Sequence, residues 1–155
     1  GNLQARHMQE LIEALLEVGG YFSVENPYGS YLWLSPFVLD VTKRHTTYFV
    51  SFDQCRFNLR PPGHRWNEYT RKRTTLWTNI SELRDMNGFC SGQTCRHKHV
   101  HAWGVRKVGK KTIKLATAAG QYPLDMCNMM ATCICKRLKP NRGMPLSFAE
   151  PGPFQ

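Results

Sequence analysis

The sequence predicts an α/β fold: a small Rossmann-like half-sheet of three or four strands, with helices and a zinc-stabilised loop module. Three observations predict it. Apolar residues at helical spacing alternate with short β-branched and aromatic runs. That alternation favours a helix-covered sheet with at least partly parallel strands. Cys and His also gather around residues 87–104 in a pattern that disulfides do not need and a metal can use.

Asn2 can cap a first helix, along which Met8, Leu11, Ile12, Leu15 and Val18 recur at helical spacing. Gly19-Gly20 stops it. Tyr21-Phe22-Ser23-Val24 reads as a short buried strand ending at Glu25-Asn26-Pro27, because proline donates nothing to a ladder. Residues 28–34 read as an irregular helical turn whose Tyr28, Tyr31 and Trp33 are expected in the core, a base-stacking platform being the alternative. Ser35-Pro36 is a cap followed by an N1 proline, and opens a second helix. Residues 46–52 are the clearest strand, ending at Asp53-Gln54-Cys55. A polar, basic loop follows over 56–72, then a strand over 73–78. Asn79 and Glu82 have capping-box spacing for a short helix to Met86. Residues 112–115 are strand-like. A last helix starts near Gln121-Tyr122-Pro123, with Leu124, Cys127, Met130, Ile134 and Leu138 on one face. Residues 1–139 are thus expected to form one domain, and 140–155 an extended Pro- and Gly-rich tail.

The chain has 155 residues, 18 of them aromatic, and 41% are hydrophobic, which suffices for a core. No run approaches the roughly 18 apolar residues of a membrane span, and no signal peptide is visible. An intracellular location is expected, the nucleus being compatible with a nucleic-acid partner. The first residue is Gly rather than Met, which points to a piece of a longer polypeptide that could supply missing parts.

The net charge of +10 is unevenly distributed. Residues 1–40 carry a net −4 and residues 41–155 a net +14. Two basic clusters dominate. The first contains Arg60, Arg65, Arg71, Lys72 and Arg73, interleaved with Trp66 and Tyr69; the second contains Lys107, Lys110 and Lys111. Arginine forks grip phosphates, and aromatic rings stack on bases. Nucleic acid, DNA or RNA, is therefore the expected partner. A solvated basic surface is the alternative.

Cys55, Cys90, His97 and His99 are the preferred metal set, with Cys95 and His101 in reserve. Zinc takes four tetrahedral ligands from thiolate and imidazole. In an extended chain His97, His99 and His101 point to one side, but the outer two sit roughly 13 Å apart. Neighbouring members of the three can share an ion. Four protein ligands make a structural site; three plus water would allow catalysis.

Glu25 and Asp53 each end a strand. If those strands were parallel neighbours, the two carboxylates would share one rim and could hold Mg²⁺, as a nuclease requires. Each could equally serve only to cap the following turn. Cys127, Cys133 and Cys135 lie on the apolar last helix with no sited base, and are not expected to act as nucleophiles.

Gly19-Gly20-Tyr21-Phe22-Ser23-Val24-Glu25-Asn26-Pro27, Ser30, Trp33, Asp53-Gln54-Cys55, Thr74-Thr75, Thr78-Asn79, Cys90, His97-Lys98-His99 and Tyr122-Pro123 with Cys127 carry a resemblance. Together they resemble a domain of retrotransposon-like polyproteins with no established activity. A more distant similarity is to the later part of the cytosine-C5 DNA methyltransferases, in which a strand-ending Glu-Asn contacts the target cytosine. Glu25-Asn26 would match that pair. The Gly-rich S-adenosylmethionine turn and the Pro-Cys nucleophile pair are both absent from this sequence. The resemblance therefore implies no S-adenosylmethionine binding by this chain alone, and at most a fragment of a methyltransferase-like enzyme. A structural subunit of a larger assembly is the remaining class.

Overall fold

The computed structural model describes residues 2–91 and 97–139. The Asn2 side chain, Cys95 and the expected tail 140–155 lie outside the described residues.

Helix α1 (Asn2–Glu17) ends at Gly19, whose φ of +70° is the left-handed conformation that closes a helix at low cost in glycine. Strand β1 (Ser23–Pro27) follows, then a 3-10 turn (Tyr31–Leu34) and α2 (Pro36–Arg44), with Pro36 at the first helical position as expected. Strand β2 (Tyr48–Asp53) runs into a 3-10 turn (Gln54–Phe57). The basic segment then contributes β3 (Glu68–Arg71), and β4 (Arg73–Thr78) leads to a 3-10 helix (Ser81–Met86). Three short strands complete the middle of the chain: β5 (Lys98–His101), β6 (Val105–Val108) and β7 (Lys111–Lys114). The short α3 (Leu115–Ala118) and the longer α4 (Leu124–Leu138) end the described chain.

The mixed helix and strand content agrees with the α/β expectation, but the parallel Rossmann-like half-sheet is corrected. The main sheet has the order β1-β4-β2, and both pairings are antiparallel. β1 and β2 do point the same way, yet β4 returns from the long excursion 54–72 and inserts between them. Among the described residues, parallel pairing is confined to the two-stranded β3–β5 ladder and a bridge between Phe52 and Gly88. β6 and β7 form a separate hairpin.

Helices cover both faces of the main sheet. Trp77 on one face packs with Phe22, Ile12 of α1, and Phe37, Val38 and Val41 of α2. On the other face Val50, Phe52 and Leu76 pack with Leu83, Met86, Met126 and Cys133. Period-two alternation of β2 and β4 sorts these side chains into the two cores.

Several local expectations shift. β1 extends through Glu25-Asn26-Pro27 instead of stopping before them, because it is an edge strand where a missing N–H is tolerated. Asn79 caps no helix; its Oδ1 accepts the Phe22 N–H at 2.9 Å and its Nδ2 donates to Gly20 O at 2.9 Å, which anchors the start of β1. α4 buries Met126 and Cys133, with Met130 and Ile134 against the core, while Leu124 and Leu138 are exposed. α1 likewise uses Met8, Ile12 and Leu16 and leaves Leu11 and Leu15 outward. Tyr28 and Tyr31 are exposed rather than core; only Trp33 of that trio is half-buried.

Candidate metal centre

Three segments deliver the expected metal ligands to one point. Cys55 sits in the 3-10 turn after β2. That turn closes on Asn58, which adopts φ +64° and donates its N–H to Cys55 O at 3.3 Å. Cys90 follows the segment Asn87-Gly88, which is tied to β2 by Gly88 N to Ser51 O at 2.9 Å and Asp53 N to Gly88 O at 3.3 Å. His97 and His99 flank Lys98 at the start of β5, so period-two geometry turns both rings to the same side.

The four ligand atoms lie within 4.8 Å of one another. Cys55 Sγ is 3.5 Å from His99 Nε2, Cys90 Sγ is 3.2 Å from His97 Nε2, and the two Nε2 atoms are 3.0 Å apart. A tetrahedral zinc site has ligand–ligand edges of roughly 3.3–3.8 Å, from its metal–sulfur and metal–nitrogen bond lengths. The cluster brackets those edges, so the side chains are close enough to bind a metal ion. Both Cys are buried and both His are half-buried. Burial holds the His97 and His99 imidazoles below their ordinary pKa; the Arg60 charge adds to this at His97, and the His97 and Arg71 charges add to it at His99. The neutral imidazole favoured in this way is the form that ligates metal. Of the reserves, His101 is exposed and packs on Trp103 at 5.5 Å, one strand step beyond the cluster, and Cys95 lies outside the described residues.

A charged layer supports the ligands. Asp53 is fully buried and accepts the Cys90 N–H at 2.9 Å through Oδ2. Its Oδ1 is 3.1 Å from Arg73 Nε, and its Oδ2 is 3.5 Å from Arg71 Nε. Burial by itself would raise the Asp53 carboxyl; the Arg73 hydrogen bond, the Cys90 N–H and the two guanidinium charges outweigh it and hold the carboxyl below its ordinary value. Tyr69 packs its ring against His97 at 4.3 Å, and Arg60 lies over the same ring at 4.1 Å. Glu68, one residue earlier on β3, accepts from Arg106 at 2.6 Å and so pins the β6–β7 hairpin to the same platform.

The expected carboxylate pair does not assemble. Glu25 is opposite Leu76 of β4 and Asp53 is opposite Arg73, so their partners stand three positions apart, an odd offset, on one strand. The two side chains therefore emerge on opposite faces of the sheet, with β4 between their strands. Glu25 instead accepts from Thr74 Oγ1 at 3.2 Å and from the Tyr122 hydroxyl at 2.7 Å. Asp53 belongs to the support of the Cys/His cluster.

The nucleic-acid candidates occupy two kinds of place. Arg65, Trp66, Lys107, Lys110 and Lys111 are exposed, with Trp66 83% accessible. Arg60, Tyr69, Arg71 and Arg73 are engaged in the contacts just described, and Lys72 Nζ lies over the Tyr122 ring at 5.2 Å. Tyr122 was not legible as a partner of Glu25, because 97 residues separate them and neither position has a local signal. Arg56 was also missed as a structural clamp; its Nη1 donates to Gly88 O at 2.7 Å beside the Cys90 segment. Cys127 and Cys135 are exposed on α4; Cys133 is buried, which pushes its thiol pKa up. Among the described residues, no helix is long and apolar enough to cross a membrane. Comparisons with protein-family models, curated proteins and solved structures found no match to this chain.

Proposed function

We propose that this chain is a nucleic-acid-binding domain stabilised by a structural zinc ion. One observation carries the reading: the Cys/His cluster and a set of basic side chains share one platform. Arg60 stacks on Tyr69, and Tyr69 stacks on His97. Arg71 reaches both Asp53 and the carbonyl of Cys90. Ordering the four ligands would therefore order the cationic surface around them.

Cys55, Cys90, His97 and His99 would hold the ion. Two thiolates and two imidazoles suit zinc, and four protein ligands leave no open position for substrate. When bound, the ion would join the turn after β2, the segment after the 3-10 helix and strand β5. Lys107, Lys110 and Lys111 on the β6–β7 hairpin, with Arg65, would meet phosphates by counterion release. The +14 of residues 41–155 supports a polyanionic partner, and membership of a larger or mobile-element-like polypeptide is compatible with it.

Elemental analysis and salt-dependent binding test the reading. One zinc per chain is expected in the wild type, with loss in Cys90→Ser. Affinity for an oligonucleotide should fall steeply between low and physiological salt. Wild-type protein without stoichiometric metal, or binding indifferent to salt, would overturn it.

A further inference from the structure

The main sheet carries a polar row where a core row is expected. Asn26, Thr75 and Ser51 lie side by side across β1, β4 and β2. The adjacent row on the same face is Val24, Trp77 and Phe49, of which Val24 and Trp77 pack under α1 and α2. The helical cover ends there. Ser51 and Thr75 of this row instead floor a cleft of about 300 Å³ walled by Tyr28, Trp33 and Phe49. Thr75 and Ser51 share a hydrogen bond of 2.8 Å on this floor, and Asn26 Nδ2 donates to Ser30 Oγ at 3.1 Å.

The walls are aromatic and held in place. The Trp33 indole donates to Pro27 O at 3.0 Å, which fixes its plane. Phe49 meets Trp33 edge-on at 5.8 Å and stacks on the core Trp77 at 6.4 Å. Tyr28 is braced edge-on by Phe89 at 5.5 Å. Tyr28 and Phe49 nevertheless keep 48% and 43% of their surface accessible. Rigid aromatic walls above hydroxyl groups suit a flat ring with polar edges.

Two ligand classes use aromatic walls: planar heteroaromatic rings and quaternary ammonium groups. The local charge separates them. The Arg73 guanidinium lies 5.4 Å from the Tyr28 ring and 4.1 Å from the Phe89 ring, at the rim. Asp53 lies on the same face and is shared by Arg73 and Arg71, so these three groups keep one net positive charge. A cationic ligand would meet that net positive rim, whereas a ring attached to a phosphate would be attracted to it.

We infer that the cleft between Tyr28, Trp33 and Phe49 is a pocket for one unpaired nucleobase, read on its edge by Ser51 and Thr75. This rests on the proposal that the chain binds nucleic acid. A base inside a duplex is stacked and paired, so the pocket selects single strands or unpaired positions.

The test compares three labelled oligonucleotides by fluorescence anisotropy on the full chain: a single strand, its duplex, and the same strand with abasic sites. The phosphates are common to both single strands, and only the bases differ. Removing the bases should weaken binding about tenfold or more. Tyr28→Ala and Ser51→Ala, both outside the buried core, should each lose severalfold on the intact strand and nothing on the abasic one. A Lys110→Ala, Lys111→Ala double variant should weaken both strands alike. Equal affinity for intact and abasic strands, or preference for duplex, would overturn the pocket and leave phosphate binding standing. Saturable binding of tetramethylammonium lost in Tyr28→Ala, without base dependence, would overturn it in favour of an ammonium cage. No binding of any strand at low salt would overturn this inference together with the reading beneath it.

Discussion

The Asp53 carboxylate accepts the backbone N–H of Cys90 at 2.9 Å across 37 residues of chain. The contact links the end of β2 to a metal-ligand candidate, and it is made by a side chain with no accessible surface. A buried carboxylate is costly unless its lone pairs are used. Here Arg73, Arg71 and the Cys90 N–H use them. Asp53 therefore fixes where Cys90 stands before any metal arrives.

Asp53→Asn should lower stability by about 2 kcal/mol, below the usual cost of breaking a fully buried pair because both arginines are partly solvated. The carboxyl is held below its ordinary pKa in the folded state, so its contribution is present above the unfolded value and is lost as pH falls through the folded one. Wild-type stability should thus decline below about pH 4 in a way the asparagine variant does not share. Thermal melts of both proteins across that range provide the comparison; parallel curves would count against the role given to Asp53.

Metal removal should act locally first. β3 and β5 pair only with each other and carry or flank His97 and His99, whereas β1, β4 and β2 lie between two cores. Structural zinc has an apparent binding energy on the order of 10 kcal/mol, so a fraction of it can change exchange protection about a hundredfold. Hydrogen exchange with and without a chelator should show faster exchange in β3–β5 and little change in β4. Cys55→Ser should reproduce that pattern. Uniform loss across all strands would mean that the cluster supports the whole fold.

The convergence of the four Cys and His side chains was legible because metal-ligand chemistry admits few residue types and strand periodicity aligns His97 with His99. Cys55 and Cys90 came together through pairing that the spacing does not encode, yet Cys55 at a strand end was enough to nominate it. Sheet direction was not legible. Glu25 lies within β1 and Asp53 ends β2, strands that point the same way, and their registers on the inserted β4 place them on opposite faces. The buried face of α4 was also ambiguous, since Leu, Met, Ile and Cys surround the helix and Met126 with Cys133 competes with Leu124 and Leu138. The aromatic cleft was only half legible: Tyr28 and Trp33 stand together in the sequence, but Phe49, Ser51 and Thr75 come from other strands.

Tyr122 tests the observed placement of Glu25. Burial, then the hydrogen bond to Glu25 and its charge, raise the Tyr122 phenol to about 12. The folded value lies above the unfolded one, so the stabilisation is complete below the ordinary tyrosine pKa and is lost as pH rises through the folded value. Ultraviolet titration should show one late-ionising tyrosine, which Glu25→Gln moves toward the ordinary range. Tyr122→Phe should cost about 1 kcal/mol, the usual value of a hydrogen bond. An unchanged late tyrosine in Glu25→Gln would argue against the contact.

Gly88 sits between the Arg56 clamp and the candidate ligand Cys90, with φ +139°, which side chains rarely adopt. A Cβ there would stand 2.4 Å from Arg56 Nη1. Two costs therefore separate experimentally. The clash involves the far end of a flexible side chain, so Arg56→Ala should relieve it; the backbone strain of about 1–3 kcal/mol remains whatever residue 56 is. Gly88→Ala should destabilise the protein in both backgrounds, by less when residue 56 is already alanine. It should also weaken zinc retention, because Cys90 is two residues away on the same segment. A double-mutant cycle by chemical denaturation, with metal content measured on each member, tests both parts. Full stability of Gly88→Ala with residue 56 truncated would show that the backbone at position 88 relaxes freely, and that the Cys90 segment does not depend on this glycine.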